Sequence, residues 1–96
     1  MSFLNRKVTA SREVEIFNNK GLHARPCSKF VKLASHFKSE VWVVKDDQQV
    51  NGKSILGLMM LAAGQGSKLT ITCEGTDAEA ALAALEKLVL SKFDED

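Results

Sequence analysis

The residues with the clearest capacity for chemistry lie in the segment Gly21-Leu22-His23-Ala24-Arg25-Pro26. Turn formers at residues 18–21 lead into it, and proline is tolerated in the first turn of a helix, so the sequence predicts a helix that starts near Ala24. His23 then stands at the helix N-terminus, where unpaired backbone N–H groups and a partial positive charge favour an anion. Arg25 adds a planar donor group that is permanently charged.

These features make His23 a candidate phosphate acceptor. Imidazole offers an unprotonated ring nitrogen near neutral pH, and the helix terminus would stabilise an added phosphate. Gly21 would let the backbone turn tightly just before the histidine. The alternative interpretation is a surface histidine that only caps the helix. His36, near the end of the same predicted helix, lacks these neighbours and is interpreted as a solvated residue that suits the helix dipole.

The elements that must position His23 follow from the spacing of apolar residues. Residues 13–16 alternate as a half-buried strand does, and residues 8–10 either extend this strand or belong to a tail. Residues 41–44 and 49–51 form a predicted hairpin around a polar turn. The first helix carries one apolar stripe, which we expect to face the core: Cys27, Phe30, Val31 and Ala34.

The second half of the chain continues the pattern. Ser54 is placed to cap a second helix, whose predicted core stripe is Ile55, Leu58, Met59 and Ala62. Leu69, Ile71 and Cys73 alternate with polar residues in a further strand. Residues 76–79 fit a capping box for a last helix, with its core stripe at Ala78, Ala81, Leu82, Leu85, Leu88 and Val89. The order β-α-β-β-α-β-α predicts a two-layer α+β sandwich, in which helices cover the apolar face of a sheet.

The length, charge and apolar content of the chain exclude several classes of function. The chain has 96 residues and a net charge of +1 from 13 basic and 12 acidic side chains, which fits one domain and gives no field that would favour nucleic acid or an anionic membrane. No apolar run approaches the ~20 residues of a membrane span, and residues 1–7 lack the apolar core of a signal peptide, so we expect a cytoplasmic protein.

The sequence gives little support for an enzyme or for a metal-binding protein. The sequence has no paired carboxylates and no Ser-His-Asp set to activate water, so we do not expect an enzyme such as a phosphohistidine phosphatase. His23 and Cys27, four residues apart, could share a helix face and hold a metal, but no third ligand is evident. We expect neither a metal nor a cofactor, and we interpret Cys27 and Cys73 as buried thiols.

Two motifs carry a family resemblance. Residues 21–26 resemble the active-site motif of the HPr family, the phosphocarriers of the bacterial phosphotransferase system, and residues 50–59 are similar to its regulatory-serine segment. Residues 30–34 and 66–72 also match, and the spacing between His23 and Ser54 is that of the family. The similarity covers about residues 12 to 93. We therefore expect an HPr-like domain over 11–93, an N-terminal extension or strand start over 1–10, and an acidic tail over 94–96.

The resemblance implies both fold and function. The family's fold is an open-faced sandwich, with a four-stranded antiparallel sheet of order 1-4-2-3 covered by three helices. By resemblance, His23 would accept phosphate from phosphoenolpyruvate-charged enzyme I and pass it to an IIA-type domain, and Arg25 would balance the phosphate charge. Ser54 would be a target of an HPr kinase/phosphorylase, although a capping serine explains it without regulation. We expect a monomer.

Two alternatives stay open. The ending Phe93-Asp94-Glu95-Asp96 resembles the nitrogen-branch relative NPr, whereas the Ser54 segment resembles sugar-branch HPr, which we favour. The second alternative is a regulatory binding protein of the same fold that does not carry phosphate. The presence of His23 argues against this alternative. For partner binding we select Ile55, Leu56 and Met59, because Leu56 lies off the predicted core stripe.

Overall fold

Four strands and three α-helices alternate in the order that the sequence predicts. The computed structural model describes residues 8–95. Its elements are β1 (Val8–Glu15), α1 (Ala24–Ala34), β2 (Glu40–Lys45), β3 (Gln48–Asn51), α2 (Ile55–Met60), β4 (Lys68–Gly75), α3 (Ala78–Leu90) and a 3-10 helix (Lys92–Asp94).

The sheet has the order β1-β4-β2-β3, and each pair of neighbours is antiparallel. Val14 pairs with Leu69, and Val43 pairs with Ile71, so apolar side chains from neighbouring strands meet on one face. The other face carries polar residues, among them Ser11 and Thr72, whose hydroxyl groups form a hydrogen bond. The predicted α+β open-faced sandwich with order 1-4-2-3 is confirmed.

The helices bury the apolar face of the sheet in a single core. The stripe of α1 is confirmed, with Cys27, Phe30 and Ala34 buried and Val31 packed against the core. The stripe of α3 is confirmed as well, because Leu88 is partly buried and its other five members are fully buried. The alternation of β4 also holds, since Leu69, Ile71 and Cys73 are buried.

The predicted core stripe of the second helix was wrong in three of its four residues. Within α2 only Leu58 is buried, whereas Ile55 and Met59 are exposed. The helix ends at Met60, and Ala62 then adopts a left-handed φ of 50° and is exposed. Because the helical path stops there, Leu61 and Ala63 supply the remaining core contacts of this segment.

The predicted capping box at the start of the last helix was also wrong. Asp77, not Thr76, occupies the N-cap of α3, and no side chain caps the helix there. The Asp77 carboxylate instead accepts hydrogen bonds from the backbone N–H of Lys38 and Ser39 and from the Ser39 hydroxyl. It therefore joins the α1–β2 connection to the start of α3, a long-range role that local spacing does not reveal.

Residues 8–10 and 93–95, near the two ends of the chain, pack on the domain. Residues 8–10 belong to β1 and pair with β4, while residues 1–7 lie outside the described part of the chain. At the other end Phe93 is fully buried and Glu95 contacts α1, so the segment that was interpreted as an acidic tail packs on the domain up to residue 95. None of the helices in residues 8–95 has the length and apolar character needed to cross a membrane.

Candidate functional site

A short loop between β1 and α1 holds His23 in place through backbone contacts. The backbone N–H of Leu22 donates to the Ala63 carbonyl at 2.8 Å, and that of His23 donates to the Gly21 carbonyl at 3.0 Å. Buried Asn18 donates through Nδ2 to the same Gly21 carbonyl at 2.8 Å. The loop is therefore fixed both to itself and to the α2–β4 connection.

Glycine is required at the centre of this loop. Gly21 has a φ of +66°, in the left-handed region that favours glycine. A Cβ there would also come within 2.3 Å of the Ala63 carbonyl oxygen, which is backbone and cannot move aside. Gly21 thus permits the close approach of the two loops that aims the next residues at the helix terminus.

His23 is the N-cap residue of α1, as predicted, but its side chain does not cap the helix. Its backbone is extended, with φ −86° and ψ −175°. Its carbonyl accepts the first helical hydrogen bond from the N–H of Cys27 at 3.1 Å, and Pro26 has no N–H to offer. Only the N–H groups of Ala24 and Arg25 therefore remain at this terminus without a helical acceptor. The imidazole stays available for chemistry.

The Glu95 carboxylate contacts the histidine and two cationic side chains. The carboxylate oxygen Oε1 of Glu95 lies 3.7 Å from Nε2 of His23 and 3.8 Å from a guanidinium nitrogen of Arg25. Its other oxygen, Oε2, accepts a hydrogen bond from Nζ of Lys29 at 2.8 Å. The hydrogen bond from Lys29 lowers the pKa of Glu95 below its usual range, and the charges of Lys29, Arg25 and His23 act in the same direction. Glu95 is thus an ionised carboxylate at neutral pH.

An open pocket surrounds these groups and has room for a phosphate. Its volume is about 800 Å³, and it is lined by Asn19, Lys20, His23, Ala24, Arg25, Ser28 and Glu95. The side chain of Arg25 is 75% exposed, whereas that of Glu95 is only 11% exposed. An exposed cation and N–H groups without helical acceptors, beside an imidazole, can bind a phosphoryl group and balance its charge.

The other predicted site residues lie outside this pocket. Ser54 is the N-cap of α2, where its Oγ accepts a hydrogen bond from the N–H of Gly57 at 3.0 Å. Beside it, Leu56 is 71% exposed and Ile55 and Met59 are about 40% exposed. Met60, which the sequence analysis did not select, is 62% exposed. These four apolar residues, Ile55, Leu56, Met59 and Met60, form the α2 surface patch.

Cys27 faces away from the pocket. Its side chain is fully buried, and its Sγ donates a weak hydrogen bond to the Leu22 carbonyl at 3.6 Å. Burial raises the pKa of the Cys27 thiol to about 11, so the thiol stays protonated. Cys73 is buried as well. Within residues 8–95, no group of three or more His, Cys, Asp and Glu side chains is placed to hold a metal ion.

Sequence analysis missed Glu95, Lys29 and Asn18. Glu95 was assigned to a tail because nothing local indicates that the chain turns back after α3. One signal was available: Lys29 lies one helical turn after Arg25, and together they add positive charge that a carboxylate could neutralise. Asn18 was assigned only to a turn, although a buried asparagine commonly ties a loop together.

Comparison with known proteins assigns the family. Residues 10–91 match the family described as "PTS HPr component phosphorylation site". The chain is 51% identical over 84 residues to phosphocarrier protein HPr of Neisseria meningitidis, covering 88% of this chain and 94% of that protein. It is 45% identical over 84 residues to phosphocarrier protein NPr of Shewanella violacea, covering 88% and 92%.

Solved structures agree with these relatives. A crystal structure of HPr from Thermoanaerobacter tengcongensis superposes with a TM-score of 0.87 at 47% identity, covering 91% of this chain and 98% of that one. A second structure of HPr from that organism, described as a dimer, gives a TM-score of 0.71 at 50% identity, covering 83% and 92%. The fold, the placement of His23 at a helix N-terminus and these similarities lead to one conclusion: the chain belongs to the HPr family of phosphocarrier proteins of the bacterial phosphotransferase system.

Proposed function

We propose that this protein accepts a phosphoryl group on a ring nitrogen of His23 from enzyme I, which phosphoenolpyruvate has charged, and passes it to IIA-type domains. The observation that carries the proposal is the position of the imidazole. It stands at the N-cap of α1 without capping the helix, beside Arg25 and the unpaired N–H groups, in an open pocket. The pocket is accessible, so a partner protein can bring its own phosphohistidine to it.

The chemistry needs no cofactor. A lone pair on a ring nitrogen of His23 attacks the phosphorus of the partner's phosphohistidine, and a new N–P bond forms. The partner's N–P bond breaks, and its electron pair returns to the partner's ring. Arg25 and the helix N–H groups bind the phosphoryl oxygens during and after the transfer. The same step in reverse delivers the group to the acceptor, so the protein acts as a carrier and not as an enzyme that turns over a substrate by itself.

Partner docking is assigned to the α2 surface patch. An exposed cluster of one isoleucine, one leucine and two methionines on a six-residue helix suits a partner's apolar surface. Ser54 lies at the edge of this patch and is the proposed target of an HPr kinase/phosphorylase. A phosphate there would add about −1.5 to −2 charge next to the patch and would weaken docking with acidic or apolar partner surfaces.

The sugar branch is the preferred assignment. The similarity to an HPr at 51% identity exceeds the similarity to an NPr at 45%, over the same length of chain. The nitrogen branch is the second candidate, because the chain ends in the NPr-like Phe93-Asp94-Glu95-Asp96. Transfer of labelled phosphate from this protein to a sugar-branch IIA domain but not to its nitrogen-branch counterpart would support the first assignment, and the opposite selectivity would support the second.

The function is tested by labelling the purified protein with enzyme I and radiolabelled phosphoenolpyruvate. We expect label that acid releases, since a phosphohistidine is a phosphoramidate, and label that a IIA domain removes in a chase. Absence of label under conditions where a known HPr is labelled would reject the carrier role and favour a regulatory binding protein of the same fold. Acid-stable label would place the phosphate on Ser54.

A further inference from the structure

We propose that Glu95 is a positioning residue for His23: its carboxylate holds the ring proton on Nε2, so that Nδ1 presents the lone pair that receives the phosphoryl group. This inference rests on the proposed role of His23 as the phosphate acceptor. It gives a function to a residue from the far end of the chain.

The contact between Glu95 and His23 involves one specific nitrogen of the imidazole ring. Among the described residues, Oε1 of Glu95 faces Nε2 of His23 at 3.7 Å, which is longer than a hydrogen bond but close enough for electrostatic attraction. A neutral imidazole carries its proton on one of two nitrogens, and a carboxylate beside one of them favours the proton there. The other nitrogen, Nδ1, then keeps its lone pair. When Nδ1 attacks phosphorus the ring gains positive charge, which the same carboxylate stabilises.

The carboxylate is held firmly enough to act in this way. Lys29 Nζ donates both to Oε2 of Glu95 and to the carbonyl of Phe93, each at 2.8 Å. Phe93 is fully buried and anchors the turn to the core. Residues 92–94 all have left-handed φ values of 55–58°, although none is glycine. Backbone of this kind persists where surrounding contacts hold it, and here the result of that backbone path is the position of Glu95.

Glu95 does not exclude a phosphate from the pocket. Its charge is already matched by Lys29, so the pair brings no net negative charge to the site. Arg25, only 3.8 Å from the same oxygen, is 75% exposed and is free to turn from Glu95 towards a phosphoryl group on Nδ1. Nε2 of the imidazole therefore faces a fixed carboxylate, and Nδ1 is the nitrogen that remains for the incoming phosphate.

The test compares Glu95→Gln with Glu95→Asp and with Asp94→Asn as a matched control. Asp94 is the adjacent acidic residue, it lies outside the pocket around His23, and asparagine tolerates its left-handed backbone. Two quantities are measured: the tautomer ratio of the neutral His23 ring, from its ring nitrogen NMR shifts, and the initial rate of labelling by enzyme I.

We expect the native protein and Asp94→Asn to hold the Nε2-protonated tautomer almost alone. Glu95→Gln should show a mixture of tautomers and label about two- to fivefold more slowly, the factor typical of a partly exposed charge contact. Glu95→Asp, which keeps the charge on a shorter side chain, should fall between them. A tautomer ratio in Glu95→Gln equal to that of Asp94→Asn would overturn the proposal, whatever the labelling rate.

A changed ratio with an unchanged rate would also overturn it, because the carboxylate would then have no part in the reaction. Failure of the proposed function looks different. In that case the native protein takes no label on His23, whereas the tautomer ratio, measured without enzyme I, still shows whether Glu95 controls the ring.

Discussion

Nζ of Lys29 lies 2.8 Å from Oε2 of Glu95, and this ion pair joins α1 to a residue 66 positions later in the chain. The same ammonium donates to the Phe93 carbonyl. One lysine therefore fastens the turn after α3 beside the N-terminus of α1. The candidate site is completed by the last part of the sequence and not by the His23 motif alone.

Replacing Lys29 by Met should loosen that turn, because both of its hydrogen bonds to residues 93 and 95 are lost while the apolar stem is kept. We expect amide hydrogen exchange at Asp94 and Glu95 to become about tenfold faster, as loss of one or two hydrogen bonds implies. Exchange measured by NMR decides this. Lys32→Met, on an exposed position of the same helix, is the matched control. Equal exchange in the two variants would show that Lys29 does not hold the turn.

Arg25 is expected to speed phosphoryl transfer without being indispensable. It is exposed and free to reach a phosphoryl group, but the helix N–H groups remain as ligands when it is removed. Arg25→Ala should therefore lower the initial labelling rate by about tenfold, the loss of one charge-assisted hydrogen bond. Arg25→Lys should restore only part of the rate, because lysine lacks the planar fork. Equal rates for all three proteins would remove Arg25 from the site.

The α2 surface patch supplies a separate prediction about docking. Leu56→Ala removes the most exposed side chain of the patch, and Ser54→Asp places a charge beside it while keeping a residue that can cap the helix. Each should weaken binding to enzyme I by about threefold to tenfold. The melting temperature should fall by no more than about a few degrees, since neither side chain fills the core. Calorimetric titration measures the affinity.

A control for the patch is Leu90→Ala, because Leu90 is a half-exposed leucine at the end of α3 and does not belong to α2. It should leave the affinity for enzyme I unchanged. Unchanged affinity for Leu56→Ala and Ser54→Asp as well would leave α2 without a docking role. Weaker binding by all three variants would point to a general loss of structure, not to the patch.

Asp77 makes the stability of the fold depend on pH. Its hydrogen bond from the Ser39 hydroxyl, followed by that from the Lys38 N–H, lowers the pKa of Asp77 below its ordinary value of 3.8. A carboxyl with a depressed pKa in the folded state stabilises the protein above its ordinary pKa, and that stability is lost as the pH falls through the lower, folded value.

Asp77→Asn should therefore lower the melting temperature by about a few degrees at neutral pH, and the difference from the native protein should shrink in strong acid. Asp47→Asn, an exposed position in the β2–β3 turn, is the matched control and should have little effect. Thermal unfolding followed by circular dichroism at several pH values measures this. A difference that stays constant down to the most acidic pH would contradict the assigned role of the carboxylate.

The parts of the fold that sequence could predict are those set by local periodicity. The strand alternation of Leu69, Ile71 and Cys73 and the helical stripe of Cys27, Phe30 and Ala34 each show which face is buried without knowledge of the rest of the chain. Ser54 likewise caps α2 through an atom only three residues away. The histidine motif was found in the same way, because its residues are contiguous.

The sequence-based predictions are wrong where contacts between distant residues determine the structure. The segment around α2 buries Leu58, Leu61 and Ala63, so Ile55 and Met59 are exposed although their spacing fits a core stripe, and the left-handed Ala62 lies beyond the helix end. Asp77 binds residues 38 and 39 and does not serve a local capping box. Glu95 reaches His23 only because Phe93 and Lys29 fix the turn before it. No window of neighbouring residues contains that information.

Site-specific loss of label shows whether His23 carries the phosphoryl group. His23→Ala and His36→Ala are labelled with enzyme I and radiolabelled phosphoenolpyruvate after circular dichroism has shown that both are folded. His23 fills no core volume and its side chain makes no helix cap, so its removal should leave the fold intact. We predict no acid-labile label on His23→Ala and native labelling of His36→Ala. Native labelling of a folded His23→Ala protein would show that another residue carries the phosphoryl group.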